Sequence, residues 1–413
     1  MSLLKNDGRR LEISSPSRFA RPIRSGVTLI ELMVALLVTL IMMAAVISAF
    51  ALASGTINDG RSMMETADRQ RSAAAVLKLD LQGITAPTLP FLKPEANAGY
   101  VTVIEGDIRD LGYIDPAASL KTFEKVDVVD KLKPLKQDYT QYGDTDDILI
   151  FTTRSKGEPF IPNSNVQYPS QVAEVVWACL LDLNSPKSNP KFTLYRMVRV
   201  LRPDAPGNVV KPNGDITSYT LGDLTKRENR LFHTGNFPYA VDIATLKTAL
   251  QSDPKNIVLT NVVGFDVKVW DPKAPVFTAG GVALSPGDVN YNPGATGPSS
   301  LGAYVDLGYA SGTKPNLSYF SGLPKDQGYP GTAKYLNTPT WDTFPTHYDY
   351  DGKATDGVKD TPGQSGGVDD VTERQYFPPY PYPLRGIQVK IRVYEPDSRQ
   401  VREVTVTEQF MPD

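Results

Sequence analysis

From Leu32 to Ala53 the chain runs for 22 residues without a charged side chain. As a helix rising ~1.5 Å per residue, such a run reaches roughly 33 Å, enough to cross the ~30 Å hydrocarbon core of a bilayer. Between Val27 and Ala53 the single charged residue is Glu31. The 26 residues ahead are polar and carry Lys5, Arg9, Arg10, Arg18, Arg21 and Arg24 against Asp7 and Glu12. Arginines on that flank hold it in the cytoplasm and place everything after Ala53 outside.

Three readings compete for this segment. A plain membrane anchor is the simplest. A removable secretory signal is the second, since Ala51-Leu52-Ala53 has the small-x-small form of a cleavage site and would leave a chain starting at Ser54. The run is much longer than the usual 7–15 apolar residues of such a signal, however. Arg9-Arg10 resembles a twin-arginine signal, but Glu12 follows and the apolar run begins far downstream. Neither reading gives Glu31 a purpose beyond snorkelling to the headgroups. A carboxylate inside a membrane helix costs roughly 2.5–3.5 kcal/mol on insertion scales and usually marks function.

The third reading accounts for Glu31. The stretch Arg24-Ser25-Gly26-Val27-Thr28-Leu29-Ile30-Glu31-Leu32-Met33-Val34-Ala35-Leu36 resembles the processing motif of type IV prepilins and type II secretion pseudopilins. The resemblance implies that a prepilin peptidase cuts between Gly26 and Val27 and methylates the new amine. It implies further that Glu31 pairs with the N-terminal amine of a neighbouring subunit in a filament. Such a pair offsets its burial cost only when subunits are in register, so it can select correct assembly. Family members most often begin the mature chain with phenylalanine. Val27 in that place leans toward a minor, low-copy subunit.

Beyond Ala53 a helical rhythm continues to about Ile84, with Met63, Ala67, Gln70, Ala74, Leu77, Leu81 and Ile84 at spacings of three and four. Gly55 and Gly60 weaken it, and Pro87 and Pro90 end it. Asp80 reads as a solvated or capping carboxylate. Strands are expected at Tyr100–Ile104, Ile148–Thr153, Val172–Leu183, Phe192–Leu201, Ile257–Trp270, Ile387–Tyr394 and Val401–Phe410. The last two form a hairpin through Glu395-Pro396-Asp397-Ser398, and Val172–Leu183 pairs with Phe192–Leu201. A short helix is expected at Asp242–Leu250, with Asp242 as its cap.

This order is similar to W-type minor pilins and to the J-type minor pseudopilin of type II secretion. The likeness is carried by residues 24–85, by Asp146-Asp147-Ile148-Leu149-Ile150-Phe151, by Leu194-Tyr195-Arg196 and by the final hairpin. The expected fold class is α+β and pilin-like: a long N-terminal helix packed on an antiparallel β-rich domain with a long loop-rich insertion. The corresponding division is a leader at 1–26, a transmembrane half-helix at 27–53 and an amphipathic half at 54–86. A β-rich domain at 87–270, a Gly/Pro-rich insertion at 271–383 and a closing hairpin at 384–413 complete it. Glycine and proline at the density of 271–383 favour loops over a packed core, although Leu301–Tyr309 is a candidate strand.

Composition narrows the chemistry. The net charge of −3 gives no basic footprint for nucleic acid. One cysteine, Cys179, lies in an apolar stretch and reads as an inert core thiol, and a lone cysteine makes no intramolecular disulfide. Two histidines, His233 and His347, leave little for His-based metal or Ser-His-Asp chemistry. No nucleophile elbow, phosphate loop or His-Glu-x-x-His is present, and a pair such as Asp146-Asp147 is too common to indicate catalysis. The acidic, glycine-punctuated stretch around Asp349, Asp351 and Asp356 is a candidate calcium loop without full EF-hand spacing.

The expected function is therefore a minor pilin or pseudopilin, not an enzyme. It sits in a bacterial inner membrane by a single pass, with its C-terminal domain periplasmic or extracellular. Its partners are other subunits and the prepilin peptidase. The alternative is a secreted or membrane-anchored binding module or adhesin with no filament role.

Overall fold

The computed structural model describes residues 26–90, 97–106, 143–162, 168–182, 191–207, 210, 214–233, 241–288, 291, 297–309, 318–322, 339–344 and 380–410. Helix α1 is unbroken from Leu29 to Gln82 and passes through Gly55 and Gly60 without interruption. Its residues up to Gly60 belong to one compact unit, and those from Arg61 belong to a second that holds the rest of the chain.

In the first unit, the apolar side chains of α1 are exposed all round. This part is long and apolar enough to cross a membrane. In the second unit the helix buries a stripe: Gln70, Ala73, Ala74, Leu77, Asp80 and Leu81. The helix ends two residues short of the expected Ile84, because Gly83 lies hard against strand β2, Ile148–Arg154. A Cβ on Gly83 would meet Arg154 O and Thr153 Oγ1, each at 2.4 Å. The helix-end carbonyls that would otherwise be orphans find partners there. Thr153 Oγ1 donates to Asp80 O at 2.8 Å, and Arg154 N donates to Gly83 O at 2.7 Å.

The strands are β1 Val101–Ile104, β2 Ile148–Arg154, β3 Val172–Leu181, β4 Phe192–Leu201, β5 Ile216–Thr217 and β6 Ile257–Ala279. They are followed by β7 Val282–Leu284, β8 Ser300–Val305, β9 Thr340–Asp342, β10 Gly386–Glu395 and β11 Gln400–Gln409. Among the described residues they form one sheet in the order β11-β10-β6-β4-β3-β2-β1-β9, with β5, β7 and β8 as side branches. Every pairing is antiparallel except β4 with β5. The long N-terminal helix followed by a large antiparallel sheet is an α+β, pilin-like layout.

Alternation on the central strands feeds two cores. Val101, Val103, Leu149, Phe151, Val175, Trp177, Cys179 and Leu194 face Leu77 and Leu81 of α1, together with Ile387, Val389 and Ile391 of β10. Their neighbours Ile148, Ile150, Val176, Ala178 and Leu180 face the other way. Those residues pack against Leu246 and Leu250 of helix α2, Ile243–Ser252. A sheet covered on both faces explains why β3 reads as an almost continuous apolar run. As expected, Asp242 caps α2, its carboxylate accepting from Ala244 N and Thr245 N.

The described parts of 271–383 do enter the core. They supply β8, which pairs with β6, and β9, which pairs with β1. Leu307, Phe320, Trp341 and Tyr380 from the same stretch are buried. A few large side chains anchor it despite its glycine and proline content.

Candidate processing and assembly site

The head of α1 is built by a four-residue device. Thr28 N and Thr28 Oγ1 both donate to Glu31 Oε2 at 2.9 Å, while Glu31 N donates back to Thr28 Oγ1 at 3.3 Å. This reciprocal pattern is a capping box: Thr28 caps the helix, and the glutamate three residues on satisfies the cap's own N–H. It was readable in the sequence as Thr28-Leu29-Ile30-Glu31, a spacing that sequence reasoning passed over in favour of a partner on another chain. Glu31 is thus satisfied by its own chain, at the positive end of the helix dipole.

Gly26 stands next to this box, and among the described residues no atom lies within 4 Å of where its Cβ would be. Val27 is 72 % exposed and Leu29 79 %, so the backbone around the Gly26–Val27 bond is accessible. Behind the box, the apolar side chains from Ile30 to Leu52 remain uncovered. The sequence-expected residues Gly26, Val27 and Glu31 therefore lie together at the open head of an unpartnered apolar helix.

Asp80 departs from expectation. Instead of a solvated or capping carboxylate, it is a buried group, 4 % exposed, that ties α1 to the sheet. Arg196 grips it with two parallel bonds, Nε to Oδ2 at 2.7 Å and Nη2 to Oδ1 at 2.8 Å. Trp177 Nε1 donates to the same Oδ2 at 2.9 Å. Trp177 and Arg196 sit side by side on β3 and β4. The apolar context of the helix stripe gave no hint that an aspartate would share it. Gln70 plays a related part, donating from Nε2 to Ile391 O at 2.8 Å and Arg402 O at 3.1 Å.

Further buried charge lies across the sheet. Asp342 on β9 takes Arg227 Nη2 at 3.0 Å and Arg230 Nη1 at 2.8 Å. Burial alone would raise its pKa, but the two guanidiniums outweigh that and hold it below the usual carboxylate range. Glu174 on β3 pairs with Arg199 and also accepts from Leu231 N at 2.8 Å and from the Tyr100 hydroxyl. Cys179 is a buried thiol, as expected.

Asp349, Asp351 and Asp356, the candidate calcium loop, lie outside the described residues. The acidic residues that the fold does bring together are others. Glu105, Asp144 and Asp147 are buried with one carboxylate oxygen from each within 4.8 Å of the rest. Asp146 and Asp147, set aside as commonplace in the sequence, are both buried.

Residues 21–47 match the family model of the prokaryotic N-terminal methylation motif. No curated protein and no solved structure matches the chain.

Proposed function

We propose that this chain is a minor subunit of a type IV pilus or type II secretion pseudopilus, of the W or J type in layout. The observation that carries the proposal is the coincidence, on one helix head, of the methylation motif and an uncovered apolar surface. The motif and the single apolar helix fit a membrane-anchored, single-pass protein. In this reading residues 1–26 are a leader, removed between Gly26 and Val27 by the prepilin peptidase on the cytoplasmic side. Val27 then carries the methylated amine. The β-rich domain stands outside the inner membrane, and the protein acts by assembly rather than by catalysis.

The capping box refines how Glu31 works. Before assembly its carboxylate is held by Thr28, which lowers the cost of keeping it in an apolar setting. On assembly the carboxylate meets the amine of a neighbouring subunit, and a charge-assisted bond supplements or replaces the local one. A subunit out of register would offer no amine, so its Glu31 stays in the local arrangement.

Intact-mass and N-terminal analysis of the membrane-fraction protein tests the reading. An N-methylated Val27 is the expected result. A start at Ser54 would instead mean a secreted binding module, and an uncut N-terminus a simple anchor. Glu31→Ala should leave cleavage intact and lower the amount of the protein in sheared filaments. Filament content equal to wild type would refute the role given to Glu31.

A further inference from the structure

One side of strand β6 is partnered by β4 as far as Val262 and by β8 from Val269 onward. Between these points the ladder is completed by a segment that is not a strand, Gly143-Asp144-Thr145-Asp146-Asp147. Gly143 N donates to Val263 O at 2.8 Å, and Phe265 N donates to Asp144 O at 2.6 Å. Val267 N donates to a side chain, Asp147 Oδ2, at 2.7 Å. All five residues of the segment are buried. Glu105, just past the end of β1, closes the arrangement: its Oε2 accepts from Leu307 N at 2.9 Å. Asp147 Oδ1 accepts from Gly106 N at 3.0 Å.

Two oxygens in this place are left over. Glu105 Oε1 and Asp144 Oδ2 have no hydrogen-bond partner among the described residues, although Glu105 is 3 % exposed and Asp144 is fully buried. Buried carboxylate oxygens without partners are rare in native folds and point to something that binds them. The charge balance points the same way. Asp146, Asp266 and Asp306 add to the three clustered acids. Among the described residues, the ammonium groups nearby are Lys268, paired with Asp306 and 3.5 Å from Asp266, and Lys390, 3.7 Å from Asp266. Burial of that excess is costly unless positive charge enters.

Protons are one source, since burial and mutual repulsion push the carboxyls of Glu105, Asp144 and Asp147 upward. A protonated carboxyl, however, is a donor that needs an acceptor. Asp144 can share one proton with the neighbouring carboxylate of Asp146, but that leaves Glu105 Oε1 without a hydrogen-bond partner among the described residues. A cation satisfies both oxygens at once. The donor set is oxygen alone, without histidine or thiolate, which selects a hard divalent ion. Two oxygens that each bind calcium at ~2.3–2.6 Å stand no more than about 5 Å apart, a limit that the clustered oxygens respect. Magnesium keeps several waters, whereas calcium accepts a shell made mostly of protein oxygens, which suits three buried carboxylates.

We propose that Glu105, Asp144 and Asp147 hold a calcium ion that fastens the segment 143–147 in its place along β6, between β4 and β8. The site lies wholly within the β-rich unit and stands whether or not the chain joins a filament. It is also separate from the acidic stretch around Asp349.

The test uses the full chain in detergent, stripped by prolonged dialysis against a calcium-selective chelator and then titrated with calcium or with magnesium alone. Calorimetry should show a saturable calcium site. The melting temperature should rise by about 5 °C at a hundredfold excess over Kd. Glu105→Gln with Asp144→Asn should abolish both the site and the shift, while melting no lower than stripped wild type, because it removes charge that the metal would neutralise. Asp351→Asn with Asp356→Asn should leave both intact. Absence of calcium binding to stripped wild type would overturn the proposal. So would binding that survives Glu105→Gln with Asp144→Asn, or a site filled by magnesium in preference to calcium.

Discussion

The bidentate pair between Asp80 and Arg196 makes a quantitative prediction about what fixes α1 to the sheet. Asp80→Leu leaves a guanidinium facing an apolar side chain and leaves Trp177 Nε1, in a fully buried ring, without an acceptor. Breaking a buried ion pair from one side costs ~3–5 kcal/mol. The Arg196 side chain is 20 % exposed and can turn partly toward water, which puts its share near ~3 kcal/mol. The stranded indole N–H adds ~1–3 kcal/mol, for a total of about 4–6 kcal/mol. Arg196→Met alone strands the carboxylate instead, with Trp177 still donating to it, and should cost about 3 kcal/mol. In the double variant no charge remains. What is left is mainly the indole penalty of ~1–3 kcal/mol, so its cost should fall short of the summed single costs by about 6 kcal/mol. Urea unfolding of the full chain in detergent, followed by tryptophan emission, measures this cycle, since all three tryptophans lie in the second unit. Additive costs, with a coupling under about 0.5 kcal/mol, would refute the claim that this pair clamps the helix.

Two other outcomes follow from close contacts. Gly106→Ala would drive its Cβ to within 1.9 Å of Asp146 Oδ1 in a buried place, so the chain should lose about 1–3 kcal/mol in urea unfolding. An unchanged midpoint would show that Asp146 has room to move. Burial, reinforced by the charge on Arg230, brings the His233 imidazole down to about 3, and its Nδ1 lies 3.0 Å from Leu231 O. The unfolded chain takes up that proton near pH 6.5, so the contribution is whole above this pH and is lost as pH falls toward 3, by at most about 1.4 kcal/mol per unit. Wild type should therefore lose stability relative to His233→Gln between pH 7 and pH 5, and parallel curves would contradict the assignment.

What the sequence disclosed, and what it withheld, follows the range of the interactions involved. The strands β3, β4, β10 and β11 were legible to within a residue or two, because alternation and apolar runs are local patterns. Strand β6 continues past the expected Trp270 to Ala279 in spite of Pro272 and Pro275. Its pairing with β8 skips between Asp271 and Pro275, and such an irregularity is where a sheet tolerates proline. The short β5 and β9 carry too few residues for any periodicity. At the helix head, Thr28 and Glu31 were within local reach, and the capping spacing was visible once the box was sought. Asp80 with Arg196, Asp342 with Arg230, and Glu105 with Asp144 are long-range pairs. Each aspartate or glutamate in them looks like an ordinary surface carboxylate until the sheet is assembled around it.

At the far end of the sheet, β11 has one strand partner among the described residues, and much of the strand faces water. Such an edge is a template on which another copy could add a strand. Here it carries Arg402, Glu403 and Glu408, and Arg392 on the neighbouring strand reaches across to Glu403 at 2.6 Å. Stacking a second sheet edge on this one would crowd these charges and strip their water. The chain thus presents two surfaces with opposite manners: the apolar first half of α1, open to company, and a sheet whose margin turns strangers away.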